Sequence, residues 1–244
     1  MRLHYTIAAI VILPSAAIAQ VSVSLEGSAA WQARNDVQIP GDAGTRFELD
    51  EVAGAGPIGT GRVTLDWDFA GRHGVRLVYA PLRVEKSGTL AQPVSFAGSE
   101  FTPGEVEATY QFNSPRVTYR YRVVDSERWQ LRLGFTALVR DAEVGLRQGG
   151  VRARDTNVGF VPLLHVSGER SLSERVSLAF EVDGLAAPQG RAVDLGLHVQ
   201  YALTDVWSLY AGYRTLEGGA DNDTVFNFAW FNSAVGGVTV SFQD

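Results

Sequence analysis

Residues 62 to 69 run Arg-Val-Thr-Leu-Asp-Trp-Asp-Phe, so Val63, Leu65, Trp67 and Phe69 share one face and Arg62, Thr64, Asp66 and Asp68 the other. A period of two marks a strand whose faces meet different media. It returns in Leu131, Leu133, Phe135, Ala137 and Val139 against Arg132, Gly134, Thr136 and Arg140. It returns again in Val193, Leu195, Leu197, Val199 and Tyr201 against Asp194, Gly196, His198 and Gln200. Beyond the first twenty residues no segment competes with this as an amphipathic helix. The runs predict strands at about 21–34, 60–70, 73–85, 105–124, 128–142, 157–171, 176–184, 190–202, 206–216 and 224–242. Tight turns near 70–73, 125–127, 172–174 and 203–205 alternate with longer polar loops near 35–59, 86–104 and 143–156. Short connections at one end and long ones at the other predict an all-β, up-and-down antiparallel barrel of about ten strands, with eight as the alternative.

Three of the tight turns repeat a pattern: Ser126-Glu127-Arg128-Trp129-Gln130-Leu131, Ser173-Glu174-Arg175-Val176-Ser177-Leu178 and Thr204-Asp205-Val206-Trp207-Ser208-Leu209. The hydroxyl and the acid suit a tight turn. In the fourth strand the apolar parity switches, from even at Val106, Ala108, Tyr110 and Phe112 to odd at Val117, Tyr119, Tyr121 and Val123. This predicts a bulge at Asn113-Ser114-Pro115, where a proline without a ladder donor is tolerated.

The first nineteen residues differ from the rest. Met1 and Arg2 open a positive segment, Thr6 to Leu13 is apolar, and Ala17-Ile18-Ala19 is a small-x-small site. Residues 1–19 are therefore expected to be a cleaved secretory signal peptide and residues 20–244 the barrel domain. No later run reaches the roughly 18 uncharged apolar residues that a spanning helix needs. Without residues 1–19, which hold one Arg and no acid, 20 basic and 27 acidic groups remain, a formal charge of −7. That argues against nucleic acid as a partner. An exported chain without Cys has no disulfide staples.

The last strand carries the pattern of a membrane-spanning wall. Phe226, Phe228, Trp230, Ala234, Gly236, Val238, Val240 and Phe242 lie on one parity, aromatic at both ends with an apolar band between. Together with Trp67, Trp129 and Trp207, the aromatics Phe226, Phe228, Trp230 and Phe242 are the expected membrane-interface girdles. Gly237-Val238-Thr239-Val240-Ser241-Phe242 resembles the terminal signal read by the barrel-assembly machinery, with Gln243 and Asp244 extending past the Phe. The chain thus resembles the small outer-membrane β-barrel proteins, the superfamily of the outer-membrane protein A and protein X barrels, over about residues 21–242. The resemblance implies a multi-pass barrel in a Gram-negative outer membrane. Lipid and lipopolysaccharide would surround it, and the barrel-assembly machinery would insert it.

If the apolar parity faces lipid, the other parity collects a lumen charge network. It comprises Arg62, Asp66, Asp68, Arg76, Glu107, Arg116, Arg120, Arg122, Arg132, Arg140, Glu181, Asp183, Asp194 and His198, with Glu26, Glu105 and Arg214. An Arg turned toward lipid at mid-depth costs about 2–4 kcal/mol, so inward placement is demanded. Charges packed together must pair, which predicts a largely plugged interior and a structural or surface-interaction role. A narrow solute pore and a lipid A-modifying hydrolase are the alternatives. The hydrolase rests on His165-Val166-Ser167, whose His-x-Ser spacing resembles the outer-membrane lipid A deacylases, with Glu181 as a third member. Gly168-Glu169-Arg170 departs from that family's continuation and the pair lies only a few residues from the short turn at Leu172, so two inward polar residues in a lumen network are the preferred reading of it. No cofactor or metal is expected: His is scarce, Cys absent, and Asp221-Asn222-Asp223 lacks the closing Glu of a calcium loop. The external ligand is not specified by the sequence.

Overall fold

The computed structural model describes residues 20–243; the expected signal peptide lies outside the described residues. Ten long strands follow one another: β1 (Gln20–Gln38), β2 (Ile58–Phe69), β3 (His73–Tyr79 and Arg83–Leu90), β4 (Gly104–Asn113 and Arg116–Asp125), β5 (Trp129–Gln148), β6 (Val151–Ser171), β7 (Val176–Ala187), β8 (Gly190–Ala202), β9 (Trp207–Asp221) and β10 (Phe226–Gln243). Each pairs antiparallel with its sequence neighbour, and β1 closes the circle on β10, from Gln20 opposite Gln243 to Gln38 opposite Phe226. The fold is a closed, up-and-down, ten-stranded antiparallel barrel.

The interruptions in β3 and β4 lie opposite each other and add no residue. Val78 opposite Arg116 and Arg83 opposite Gln111 belong to one register, as do Arg116 opposite Leu138 and Asn113 opposite Asp141. The expected bulge at Pro115 is therefore absent: the Pro115 carbonyl accepts the Val139 N–H at 2.9 Å and the ladder continues. The bulge in β4 lies near its other end, where Leu131 faces Val124 but Arg132 faces Arg122.

Even residues of β4 point inward from Val106 to Arg122, before that bulge, and what changes at Pro115 is the surroundings. Below it Val117, Tyr119 and Tyr121 are outward and exposed while Arg116, Thr118 and Arg120 are buried; above it Val106, Ala108 and Tyr110 are buried while Glu107 is outward. β5 inverts at the same height, from outward Leu133, Phe135 and Val139 to outward Glu143 and Arg147 over buried Val144 and Leu146. One half is greasy outside and polar inside; the other half is the reverse, as a barrel standing in water must be.

The long connections are correspondingly more structured than their polarity suggests. Residues 143–156 are no loop but the ends of β5 and β6, joined by a tight turn at Gly149-Gly150 with Gly149 at φ +57°. Between β3 and β4 a short hairpin pairs Val94–Phe96 with Ser99–Phe101. Between β1 and β2 the chain pairs Phe47–Glu48 with β1, then forms a five-residue helix, Leu49–Ala53. This helix fills the seam left where β2–β3 pairing ends at Val63 opposite Tyr79. A Cβ on Gly88 would meet the Val52 carbonyl oxygen at 1.7 Å, so only glycine allows the helix to seat there. Val37, Leu49, Phe96, Phe101, Val106 and Leu146 form the apolar core of this half.

Candidate functional site

The charged half of the interior is built by alternate residues of eight strands. Glu26 comes from β1, Arg62, Asp66 and Asp68 from β2, Arg76 from β3, Arg116, Arg120 and Arg122 from β4, Arg132 from β5, Glu181 and Asp183 from β7, Asp194 and His198 from β8, and Arg214 from β9. Asp194 sits among three guanidiniums from three strands, with Arg116 at 2.8 Å, Arg214 at 2.8 Å and Arg62 at 3.1 Å. Glu181 is paired with Arg214 at 2.7 Å, Arg62 at 3.5 Å and Arg76. Nearer the short turns, Asp66 binds Arg76 and Arg120, each at 2.8 Å, and Asp68 binds Arg120, Arg132 and Arg122 at 3.0, 3.1 and 3.4 Å. Arg76 to Glu181 and Arg62 to Asp194 cross from one wall to the opposite one, so the network spans the cylinder.

Two residues expected in this network stand elsewhere. Glu107 is on the outward parity of β4, in the half whose exterior is polar, where it pairs with Arg147; Glu105 is likewise exposed. Arg140 is inward but joins no ion pair, and its Nη2 donates to Asn157 at 2.5 Å. His198 lies 3.8 Å from Glu26 and stacks edge-on against Tyr210 at 5.2 Å. Among the described residues, no group of three or more His, Cys, Asp or Glu could hold a metal ion.

His165 and Ser167 do meet: His165 Nε2 lies 3.0 Å from Ser167 Oγ, and His165 Nδ1 lies 2.7 Å from Asp183 Oδ1. The third member is therefore Asp183 and not Glu181, which its three arginines occupy. The reason is register, since His165 is directly opposite Asp183 across the β6–β7 ladder. Asp183 is held in turn by Thr136 Oγ1 at 2.6 Å and Arg116 Nη1 at 3.1 Å. A hydroxyl, an imidazole and an orienting carboxylate are the parts of an activated nucleophile. An oxyanion site is the part lacking a backbone donor: Ser167 is paired on both sides, with Arg132 of β5 and Glu181 of β7. Guanidiniums are the remaining donors, since Ser167 lines, with Arg120 and Arg132, a polar cavity of about 120 Å³. A wider recess of about 440 Å³ lies between this level and the turns at Ser173 and Thr204.

On the outside, Trp67, Trp129, Trp207 and Phe242 ring the short-turn end, exposed and outward, and Trp230 lies toward the other end. Phe226 and Phe228 stand higher, where Arg46 stacks on Phe226 at 4.0 Å and Arg191 on Phe228 at 4.9 Å. Trp31, Tyr79 and Tyr213 complete the upper ring. Their strands show them only once register places them level with Trp230.

The chain matches no protein-family model and no curated protein. Its fold is similar to that of the outer membrane protease OmpT from Escherichia coli, at a TM-score of 0.51 and 11% identity over 92% of this chain and 97% of that one. Ail, the attachment invasion locus protein of Yersinia pestis, aligns at a TM-score of 0.39 and 9% identity over 91% of this chain and 98% of its own. Neisserial surface protein A aligns at a TM-score of 0.38 and 13% identity over 91% and 97%.

Proposed function

We propose that the chain is an integral outer-membrane barrel of a Gram-negative bacterium, closed to solutes by its cross-barrel ion pairs, with a structural or surface-interaction role. The observation that carries this reading is Asp194, buried among arginines of β2, β4 and β9. Three walls tied to one carboxylate support a blocked cross-section at that level. The outward apolar band with an aromatic ring toward each end supports lipid and lipopolysaccharide as its surroundings. The tall half formed by β3–β6, polar outside and packed inside, supports presentation of a rigid surface on the outer side.

Planar-bilayer recording of the purified protein tests the closure: a silent bilayer is expected, and discrete conductance steps would establish the pore instead. A peptide tag inserted between Gly149 and Gly150 is expected to be reached by antibody on intact cells, and labelling only after permeabilisation would reverse the orientation. The hydrolase reading is favoured by one observation, the Ser167–His165–Asp183 chain of hydrogen bonds. Mass spectrometry of lipid A from cells carrying Ser167→Ala tests it, with altered acylation required by that reading and unchanged acylation expected from the structural one.

A further inference from the structure

Between β6 and β7 the ladder stops at Leu164 opposite Gly184, although β6 continues to Val151 and β7 to Ala187. Pro162, two residues past the last pair, has no N–H with which to continue it. Through this seam the wall opens sideways onto a cavity of about 360 Å³, within the size range of small-molecule sites. Leu138, Leu163, Leu216, Ala229 and Phe231 make it largely apolar, and Asp194 of the ion-pair layer lies at its floor. The top is covered by the β1–β2 connection, whose Asp42 N–H donates to the Asp223 carbonyl at 3.3 Å.

Two independent features describe the occupant. The mouth lies where the barrel's outer surface is greasy: Phe160, which lines the cavity, is 67% exposed and Val158 beside it 73%. The medium at the entrance is therefore hydrocarbon. Inside, Arg140 is alone among the inward-facing arginines of the described residues in having no carboxylate, and its buried Nε has no partner at all. Of the other charged groups on the lining, Asp194 is held by its arginines, Glu217 is paired with Arg191 at 2.7 Å, and Glu143, on the outward parity of β5, is paired with Arg83 at 3.7 Å. Asp155, opposite Val144, lies four residues farther out than Gly159, which faces Arg140, about 13 Å along the strand. A half-buried guanidinium with no carboxylate partner, hydrogen-bonded only to the Asn157 amide, at one end of an apolar cavity calls for an anion on a hydrocarbon tail.

We propose that this cavity binds a single long-chain carboxylate, which enters from the membrane through the β6–β7 seam and sets its head on Arg140. The tail packs against Leu138, Leu163, Leu216 and Phe231, and the ion-pair floor makes the site a dead end. The proposal uses the reading that the apolar band faces lipid, and the test separates the two. Wild-type protein, Arg140→Gln, Ala142→Trp and Ala187→Trp are reconstituted in phospholipid nanodiscs and titrated with the fluorescent fatty acid cis-parinaric acid or its methyl ester. Wild type is expected to bind the acid saturably, beyond the uptake of empty nanodiscs. Arg140→Gln is expected to weaken the acid about tenfold, the loss of one charge-assisted hydrogen bond, and to leave the ester unchanged. Either tryptophan, one within the cavity and one at its mouth, is expected to remove both probes. Acid uptake no greater than in empty nanodiscs, an unaffected Arg140→Gln, or full binding in a variant that keeps its heat-modifiable gel band overturns the site. Absence of that band from the wild type itself overturns the membrane reading first.

Discussion

Asp194→Asn keeps the size of the side chain and removes one negative charge, leaving Arg62, Arg116 and Arg214 facing a neutral amide at 3.1, 2.8 and 2.8 Å. In a water-filled channel the change would be small, since a unit charge pair at 4 Å is worth about 1 kcal/mol in bulk water. In a sealed interior one partner of a buried pair is lost with its counter-charge left behind, which costs about 3–5 kcal/mol. Glu181, Glu26 and Asp183 remain near these arginines and hold the expected loss within that range. The second half of the cycle is Arg62→Met, chosen because its other partner, Glu181, keeps Arg214 at 2.7 Å. The double variant restores charge balance and is expected to recover at least half of the loss. Urea unfolding of the protein in lipid vesicles, followed by tryptophan fluorescence and gel mobility, measures both. A single-variant loss under about 1 kcal/mol, the value for solvent-exposed pairs, or a double variant whose losses simply add, would refute the sealed interior.

A Cβ at Gly134 would lie 1.9 Å from the Tyr119 carbonyl oxygen, whereas one at Gly27 meets nothing within 4 Å. Gly134→Ala is therefore expected to cost about 3 kcal/mol or to abolish the folded gel band, and Gly27→Ala to change stability by less than about 0.5 kcal/mol; equal effects would contradict the backbone contact. At the end away from the short turns, burial pushes the Asp36 carboxyl up, but Arg34 Nε at 2.7 Å and Arg46 Nη2 at 2.9 Å outweigh it and hold it below the ordinary value of 3.8. A lowered carboxyl stabilises fully above that ordinary value and is lost as pH falls through the folded one. Peptic cleavage within 39–57 is thus expected to rise only below about pH 3.8, and Asp36→Asn to expose Arg46 to trypsin already at neutral pH. Cleavage independent of both pH and Asp36 would dismiss this clamp.

Much of the fold could be read without coordinates because a strand spends every second residue on each medium. Val63, Leu65 and Trp67 against Arg62, Thr64 and Asp66 need no tertiary knowledge, and the Ser-Glu and Thr-Asp turns set the hairpins. The candidate site was legible by residue type but not by partner. Asp183 could have been reached by counting back from the turn after Ser171 to the residue opposite His165. Glu181 and Asp183 lie two residues apart on one face, and the sequence does not separate them until each has met its arginines. Glu107 failed for a different reason: its parity is outward, and only its height makes an outward carboxylate affordable.

By itself, then, the alternation determined strand number, hairpin order and which atoms of β2, β5 and β8 are greasy. The three-dimensional arrangement decided what the other side of each wall touches. Above Pro115 the exterior is polar and the interior apolar, so the same alternating code inverts its meaning without any slip in register. Below it, partners from β2, β4 and β9 converge on Asp194 across the full width of the cylinder. Such convergence depends on strand stagger and closure, which link residues more than a hundred positions apart and leave no mark on the local pattern.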